Sequence, residues 1–153
     1  MIDGRVRAAG PASDRAGEWE HFAHGADIGV RGRGATPERA FEQAARALTA
    51  VVTDLPLVRT TTSTEVHCRA PDLDLLLYEW LNSLVFHMST ERLLFAAFDV
   101  RIAGGELFAQ ARGEPVDVAR HAPAVEVKGA TLTELSVRRE ADGRWCAQCV
   151  IDV

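Results

Sequence analysis

Between residues 71 and 88 the chain places Leu73, Leu76, Leu77, Trp80, Leu81, Leu84 and Met88 at steps of three and four. A helix lays such a set along one face, and a face that wide must be covered by another layer of the same protein. Pro71 and Asp72 mark its start. A second stripe, Phe41, Ala44, Ala45, Leu48 and Val52, follows Thr36-Pro37-Glu38. There Thr can accept a backbone N–H as the cap, Pro suits the first helical position, and Glu complements the positive end of the helix dipole. This earlier helix is expected to end near residues 54–56.

The rest of the chain reads as short strands. Extended pieces are expected at 19–22, 28–33, 64–70, 95–102, 106–112, 125–127, 132–139 and 145–151, with a loop at 23–27. Gly104-Gly105 and Asp142-Gly143 read as hairpin turns. Two helices among hairpin-linked strands imply an α+β fold: a single-domain layered sandwich with two main helices packed on a mostly antiparallel sheet. At 153 residues and 47% hydrophobic content, one substantial core is affordable and a second full domain is not expected. Residues 1–17, rich in Gly, Ala, Arg and Pro without periodicity, are expected to form a mobile leader, leaving 18–153 as the folded domain.

Several function classes are disfavoured. A net charge of −5 without a dense basic run argues against a protein that grips RNA or DNA mainly by neutralising phosphates. Any RNA chemistry is therefore expected to pass through a protein partner. Asp72, Asp74 and Glu79 interrupt the leucine-rich stretch, so it does not read as a membrane span. The first residues lack the basic-then-apolar order of a secretory signal, and three cysteines do not make a disulfide framework; a cytoplasmic location is expected. Cys146-Ala147-Gln148-Cys149 has redox spacing, but a redox pair opens a helix, and this segment reads as strand, where residues three apart face opposite ways. No phosphate-binding glycine loop and no nucleophile elbow is present. Sixteen of the seventeen basic residues are arginine; the single lysine, Lys128, is expected to be needed as a compact primary amine.

A set of blocks occurs in a specific order: Trp19-Glu20-His21-Phe22, His24-Gly25-Ala26-Asp27-Ile28-Gly29, Ala40-Phe41-Glu42-Gln43-Ala44, Asp74-Leu75-Leu76-Leu77 and Trp80-Leu81. Gly113-Glu114-Pro115, His121, Glu126-Val127-Lys128, Ala130-Thr131 and Ile151-Asp152-Val153 continue it. In this order the chain resembles the archease family from about residue 18 to its last residue. The resemblance implies a protein cofactor of an RtcB-type RNA ligase, not an enzyme in its own right. Such a cofactor promotes GTP-dependent guanylylation of the ligase and multiple-turnover ligation in tRNA splicing and RNA repair. It further implies a metal site at Asp27 and Asp152, with Lys128 as the assisting residue and RNA met only through the ligase. Two carboxylates completed by water or backbone carbonyls suit Ca²⁺, with Mg²⁺ as the second choice, better than zinc. His24 is expected to support the ligands by hydrogen bonding. Two positions depart from the family pattern: Ala23 replaces a usual acidic residue and Gly25 a usual Thr. The rival reading is a metal-independent, chaperone-like binding module that modulates an RNA-processing enzyme.

Overall fold

The computed structural model describes residues 17–153, so the expected leader lies, apart from Gly17, outside the described residues. The elements run β1 (Glu18–His24), β2 (Asp27–Gly34), α1 (Pro37–Val52), a 3-10 turn (Leu55–Leu57), β3 (Thr62–Arg69), α2 (Leu73–Thr90), β4 (Leu93–Ala103) and β5 (Glu106–Pro115). A short α3 (Val118–His121), β6 (Gly129–Ala130), β7 (Ser136–Arg139) and β8 (Trp145–Asp152) complete the chain.

Both helix starts follow the side-chain chemistry of their caps. Thr36 accepts the Arg39 N–H at 3.2 Å through Oγ1, and Asp72 accepts the Leu75 N–H at 2.8 Å through Oδ1. α1 stops at Val52, where the Thr53 N–H closes on the Thr49 carbonyl and the 3-10 turn takes the chain away.

The α+β architecture is as expected, but the strands form two sheets. One is ordered β1-β2-β8-β6 with β7 also paired to β8; the other is ordered β3-β5-β4, and every pairing is antiparallel. The helices link the sheets. α1 packs on β1, β2 and β8 of the larger sheet and on β4 of the smaller, while α2 touches β3 on one side and β6, β7 and β8 on the other. α1 can lie close to β2 because Gly32 has no side chain: a Cβ there would strike the Ala44 nitrogen and the Ala40 carbonyl oxygen of the helix. Side chains tie the layers where apolar packing leaves polar groups inside. The Trp80 indole N–H donates to the Phe41 carbonyl at 3.1 Å, joining α2 to α1, and the Thr49 hydroxyl donates to the Phe95 carbonyl at 2.6 Å, joining α1 to β4.

Two expected strands need correction. Residues 125–127 are not a strand, and the strand expected over 132–139 shortens to Ser136–Arg139 after a turn at 132–134. Alternating apolar residues suggested ladders, but Val127 is buried with the core while the segment before β6 runs without a strand partner. The loop expected at 23–27 is also shorter than its composition implied: only Gly25 and Ala26 turn, and His24 and Asp27 are strand residues paired with each other. Among the described residues no helix is long and apolar enough to cross a membrane.

Candidate functional site

The β1–β2 hairpin and the end of β8 meet through their register. Ile28 pairs with Ile151 and Val30 with Cys149, and all four side chains are fully buried. A one-residue slip would turn this apolar set out of the core, so burial fixes the pairing. Asp27 and Asp152 each stand one residue beyond Ile28 and Ile151, the last pair of this ladder. Since Ile28 and Ile151 face α1, these two carboxylates face away from it, on the outer side of the sheet. His24 pairs with Asp27 on the other flank, and directly paired residues share a face. His24, Asp27 and Asp152 thus form one row across three strands at the sheet's end.

The hairpin tip shows what Gly25 contributes. Gly25 has φ +60° and nothing within 4 Å of where a Cβ would stand. A glycine with positive φ at the first central position is the signature of a type II′ two-residue turn. Gly25 therefore serves the tightness of the turn that delivers Asp27, and Ala23 sits in β1 opposite Ile28.

Lys128 approaches from the other side of β8. Its backbone N–H donates to the Asp152 carbonyl at 2.8 Å, and the next residue, Gly129, pairs with Asp152 in the β6–β8 ladder. The Lys128 side chain is exposed, and among the described residues its ammonium makes no ion pair. Asp27 and Asp152 likewise make no ion pair there. Further down the same outer face charges are matched: the Arg31 guanidinium lies 4.4 Å from the Phe22 ring centroid and donates to Glu20 at 2.5 Å and to Gln148 at 2.9 Å. The end of the sheet is thus a place where negative charge is gathered without a partner cation from the described chain.

This arrangement suits a hard divalent cation that takes two carboxylate oxygens and completes its shell with water or backbone carbonyls. It does not suit a metal needing several side-chain ligands, because among the described residues no group of three or more His, Cys, Asp or Glu side chains could hold one. His24 is exposed and makes no side-chain hydrogen bond among the described residues.

A second polar cluster, seen in the sequence only as the separate blocks around Glu114 and His121, holds the approach to Lys128. Glu114, at the end of β5, is 5% exposed and His121, in α3, is 1% exposed. Arg120 grips both Glu114 oxygens, at 2.8 and 2.7 Å, and the Arg59 N–H donates to the same carboxylate at 2.7 Å. These donors hold the Glu114 carboxyl well below the usual carboxylate range, Arg120 first among them. The Thr53 hydroxyl donates to the His121 carbonyl at 2.5 Å, and the Ala124 N–H to the Val52 carbonyl at 2.8 Å. The non-strand segment leading to Lys128 is therefore pinned to the end of α1 before it reaches β8.

The thiols are not arranged for catalysis. Cys146 pairs with Arg33 and Cys149 with Val30, on alternate faces of β8, and both are buried. Burial raises the pKa of Cys146 and pushes Cys149 up to about 12, the opposite of thiol activation.

Known proteins share this sequence pattern and fold. The model of the archease protein family matches residues 19–153. A protein archease from Pyrococcus abyssi is 40% identical over 139 residues, covering 88% of this chain and 98% of that protein. One from Thermococcus gammatolerans is 42% identical with the same coverage of both chains. The solution structure of Methanobacterium thermoautotrophicum protein 1598 is similar with a TM-score of 0.77 at 32% identity, covering 88% of this chain and 98% of that one.

Proposed function

This chain belongs to the archease family, and from that premise we propose that it is a protein activator of an RtcB-type RNA ligase, working in the cytoplasm and without turnover of its own. It promotes GTP-dependent guanylylation of the ligase and multiple-turnover ligation in tRNA splicing and RNA repair, and meets RNA only through the ligase. The observation that supports the reading is that Asp27 and Asp152 each stand one residue beyond the paired Ile28 and Ile151, with the backbone of Lys128 hydrogen-bonded to Asp152 on its other side.

Asp27 and Asp152 would hold a divalent cation, Ca²⁺ in the first instance and Mg²⁺ as the alternative. Such an ion supplies concentrated positive charge close to a phosphate on which negative charge develops. Lys128 presents a mobile ammonium beside the same spot, able to pair with a phosphate oxygen as a point charge. His24 orients a carboxylate or bound water at the edge of the row. The buried register beneath these groups fixes their backbones in advance, so they meet the partner's pocket at little cost in reorganisation. The acidic end of the larger sheet is the pole that faces the ligase.

The test is single-turnover guanylylation of the cognate ligase by GTP, with and without this protein. Wild type is expected to accelerate the step, and Asp27→Ala and Asp152→Ala to lose the acceleration. No acceleration from wild type with a competent ligase would sink this reading and leave the metal-independent binding module.

A further inference from the structure

The smaller sheet has two edges, and they are finished differently. At β4 the outward backbone groups are taken up by α1: Glu42 accepts the Val100 N–H at 2.9 Å, Arg46 donates to the Ala96 carbonyl at 3.1 Å, and Thr49 donates to the Phe95 carbonyl. Side chains of α2 close an edge of the larger sheet in the same way. Asn82 bonds both the N–H and the carbonyl of Ala130 in β6, and Asp74 accepts the Val137 N–H of β7. β3, the other edge of the smaller sheet, has no such cover among the described residues.

The register of β3 fixes which groups stay open. The Ala70 N–H donates to the Gly105 carbonyl at 3.1 Å, one step beyond the pair Arg69 and Glu106. Hydrogen-bonded and non-bonded pairs alternate along an antiparallel ladder, so Thr64, Val66 and Cys68 turn their backbones to β5. Ser63, Glu65, His67 and Arg69 therefore present their N–H and carbonyl groups to the free edge, and all four side chains are exposed.

Beside this edge lies a groove of about 410 Å³ with Glu65 and Val66 of β3 on one wall and Glu79, Ser83 and Phe86 of α2 on the other. No residue of β5 lines it, so it opens on the free side of β3. Phe86 is 59% exposed, an uncovered aromatic ring on the helix wall. The imidazoles that reach the groove have carboxylates of their own: His67 lies 2.8 Å from Glu106, and His87 lies 3.0 Å from Glu91. Arg69, further along the strand, is also paired with Glu106. Glu65 and Glu79 make no ion pair among the described residues. An open strand edge, an uncovered ring and two negative charges without a counter-ion thus meet in one place.

We propose that β3 and α2 form a docking groove for one extended segment of a partner protein, a strand in which basic residues alternate with apolar ones. Its main chain pairs with the outward groups of Ser63, Glu65, His67 and Arg69. A strand sends successive side chains to opposite faces, so its basic residues stand beside Glu65 on the outer face while its apolar residues lie against Phe86. Glu79 adds negative charge to the helix wall. Strand addition at a sheet edge draws affinity from main-chain hydrogen bonds and selectivity from the alternate side chains, and this groove supplies both. The inference is independent of the ligase reading, because it uses none of the residues of the acidic end.

The test is amide hydrogen exchange followed by nuclear magnetic resonance on the full chain at low ionic strength. The probes are an end-blocked Thr-Lys-Val-Lys-Phe-Lys-Thr peptide and its counterpart with Glu at every Lys. The basic peptide is expected to slow exchange of the Glu65, His67 and Arg69 amides saturably, at least about fivefold, and the acidic peptide to leave them unchanged. The double variant Glu65→Gln with Glu79→Gln is expected to weaken binding about fivefold. Failure of the basic peptide to slow these amides, or an equal effect of the acidic one, overturns the proposal. Slow exchange at these amides without peptide, deepening as protein concentration rises, would put a second copy of the chain on the edge and overturn it as well. If the double variant fails to fold, the comparison of the two peptides on wild type decides alone.

Discussion

The His121 imidazole and the Glu114 carboxylate meet inside the protein at 2.9 Å, from Nε2 to Oε2. The Asp117 N–H donates to Nδ1 at 2.8 Å, which makes Nδ1 an acceptor and puts the hydrogen of the neutral ring on Nε2. His121 therefore donates to Glu114, alongside Arg120 and the Arg59 N–H. One carboxylate gathers β5, α3 and the residues after the 3-10 turn.

Stability should show this carboxylate in its dependence on pH. The folded-state pKa of Glu114 is depressed, with the Arg120 hydrogen bonds as the main cause. The unfolded chain thus binds more protons in acid, and the stabilisation is complete above the unfolded glutamate value of about 4.3 and is lost as pH falls below it. Urea denaturation between pH 7 and pH 3 should show wild type losing stability across the acid range, while Glu114→Gln starts lower at pH 7 and falls less steeply. Equal slopes would deny Glu114 this role.

Two glycines should respond differently to the same small substitution. Gly32→Ala pushes a methyl into the backbone of α1 and should cost about 3 kcal/mol. Gly25→Ala meets no atom within 4 Å and should cost only about 1 kcal/mol, from its φ of +60°. Chemical denaturation of both variants checks the order.

The Asp27 and Asp152 carboxylates should behave differently with and without a divalent cation. Like charges directly across an antiparallel pair repel. In chelator, Asp27→Asn and Asp152→Asn should therefore melt slightly above wild type. In millimolar Ca²⁺ the order should reverse, because only wild type gains from binding. Thermal melts in the two buffers decide it, and an unchanged order would remove the metal from the site.

Lys128 should be dispensable for folding and needed for activation. Its structural bond is the backbone N–H to Asp152, which any non-proline residue keeps. Lys128→Ala should thus melt like wild type yet lose stimulation of ligase guanylylation. Lys128→Arg should recover only part of it, since a planar fork does not replace a compact ammonium. Full stimulation by Lys128→Ala would rule out its assisting role.

The buried thiols should be silent to thiol–disulfide exchange in the folded protein. Cys146 and Cys149 should react with an aromatic disulfide reagent only after denaturant is added, and Cys68, whose pKa is pushed up to about 11 by burial, should be slow. Rapid reaction of either residue of β8 in native buffer would contradict the packing.

Much of this molecule was legible in the order of its residues because it depends on neighbours in the chain. The caps Thr36 and Asp72, the apolar stripes of both helices, the turn at Gly104-Gly105 and the strand nature of Trp145–Asp152 are all local matters of propensity and period. The position of Asp27 and Asp152 as candidates came from the family resemblance, since a lone aspartate carries no signal of its own.

What only the tertiary structure decided involves residues far apart in sequence. The division into two sheets is set by long-range pairing, and the face on which Asp27 lies and its nearness along the sheet to Asp152 follow from β2 pairing with β8 across most of the chain. The alternation of Val125 and Val127 looked like a strand, but burial against a helix end satisfies the same pattern without a ladder. Glu114, Arg120 and His121 could not be read as one cluster, because their geometry exists only once β5 and α3 fold back on the end of α1. Periodicity reports which side chains leave water; which partner covers them is set by the packing of the whole chain, and it is that packing which brings the charged residues together.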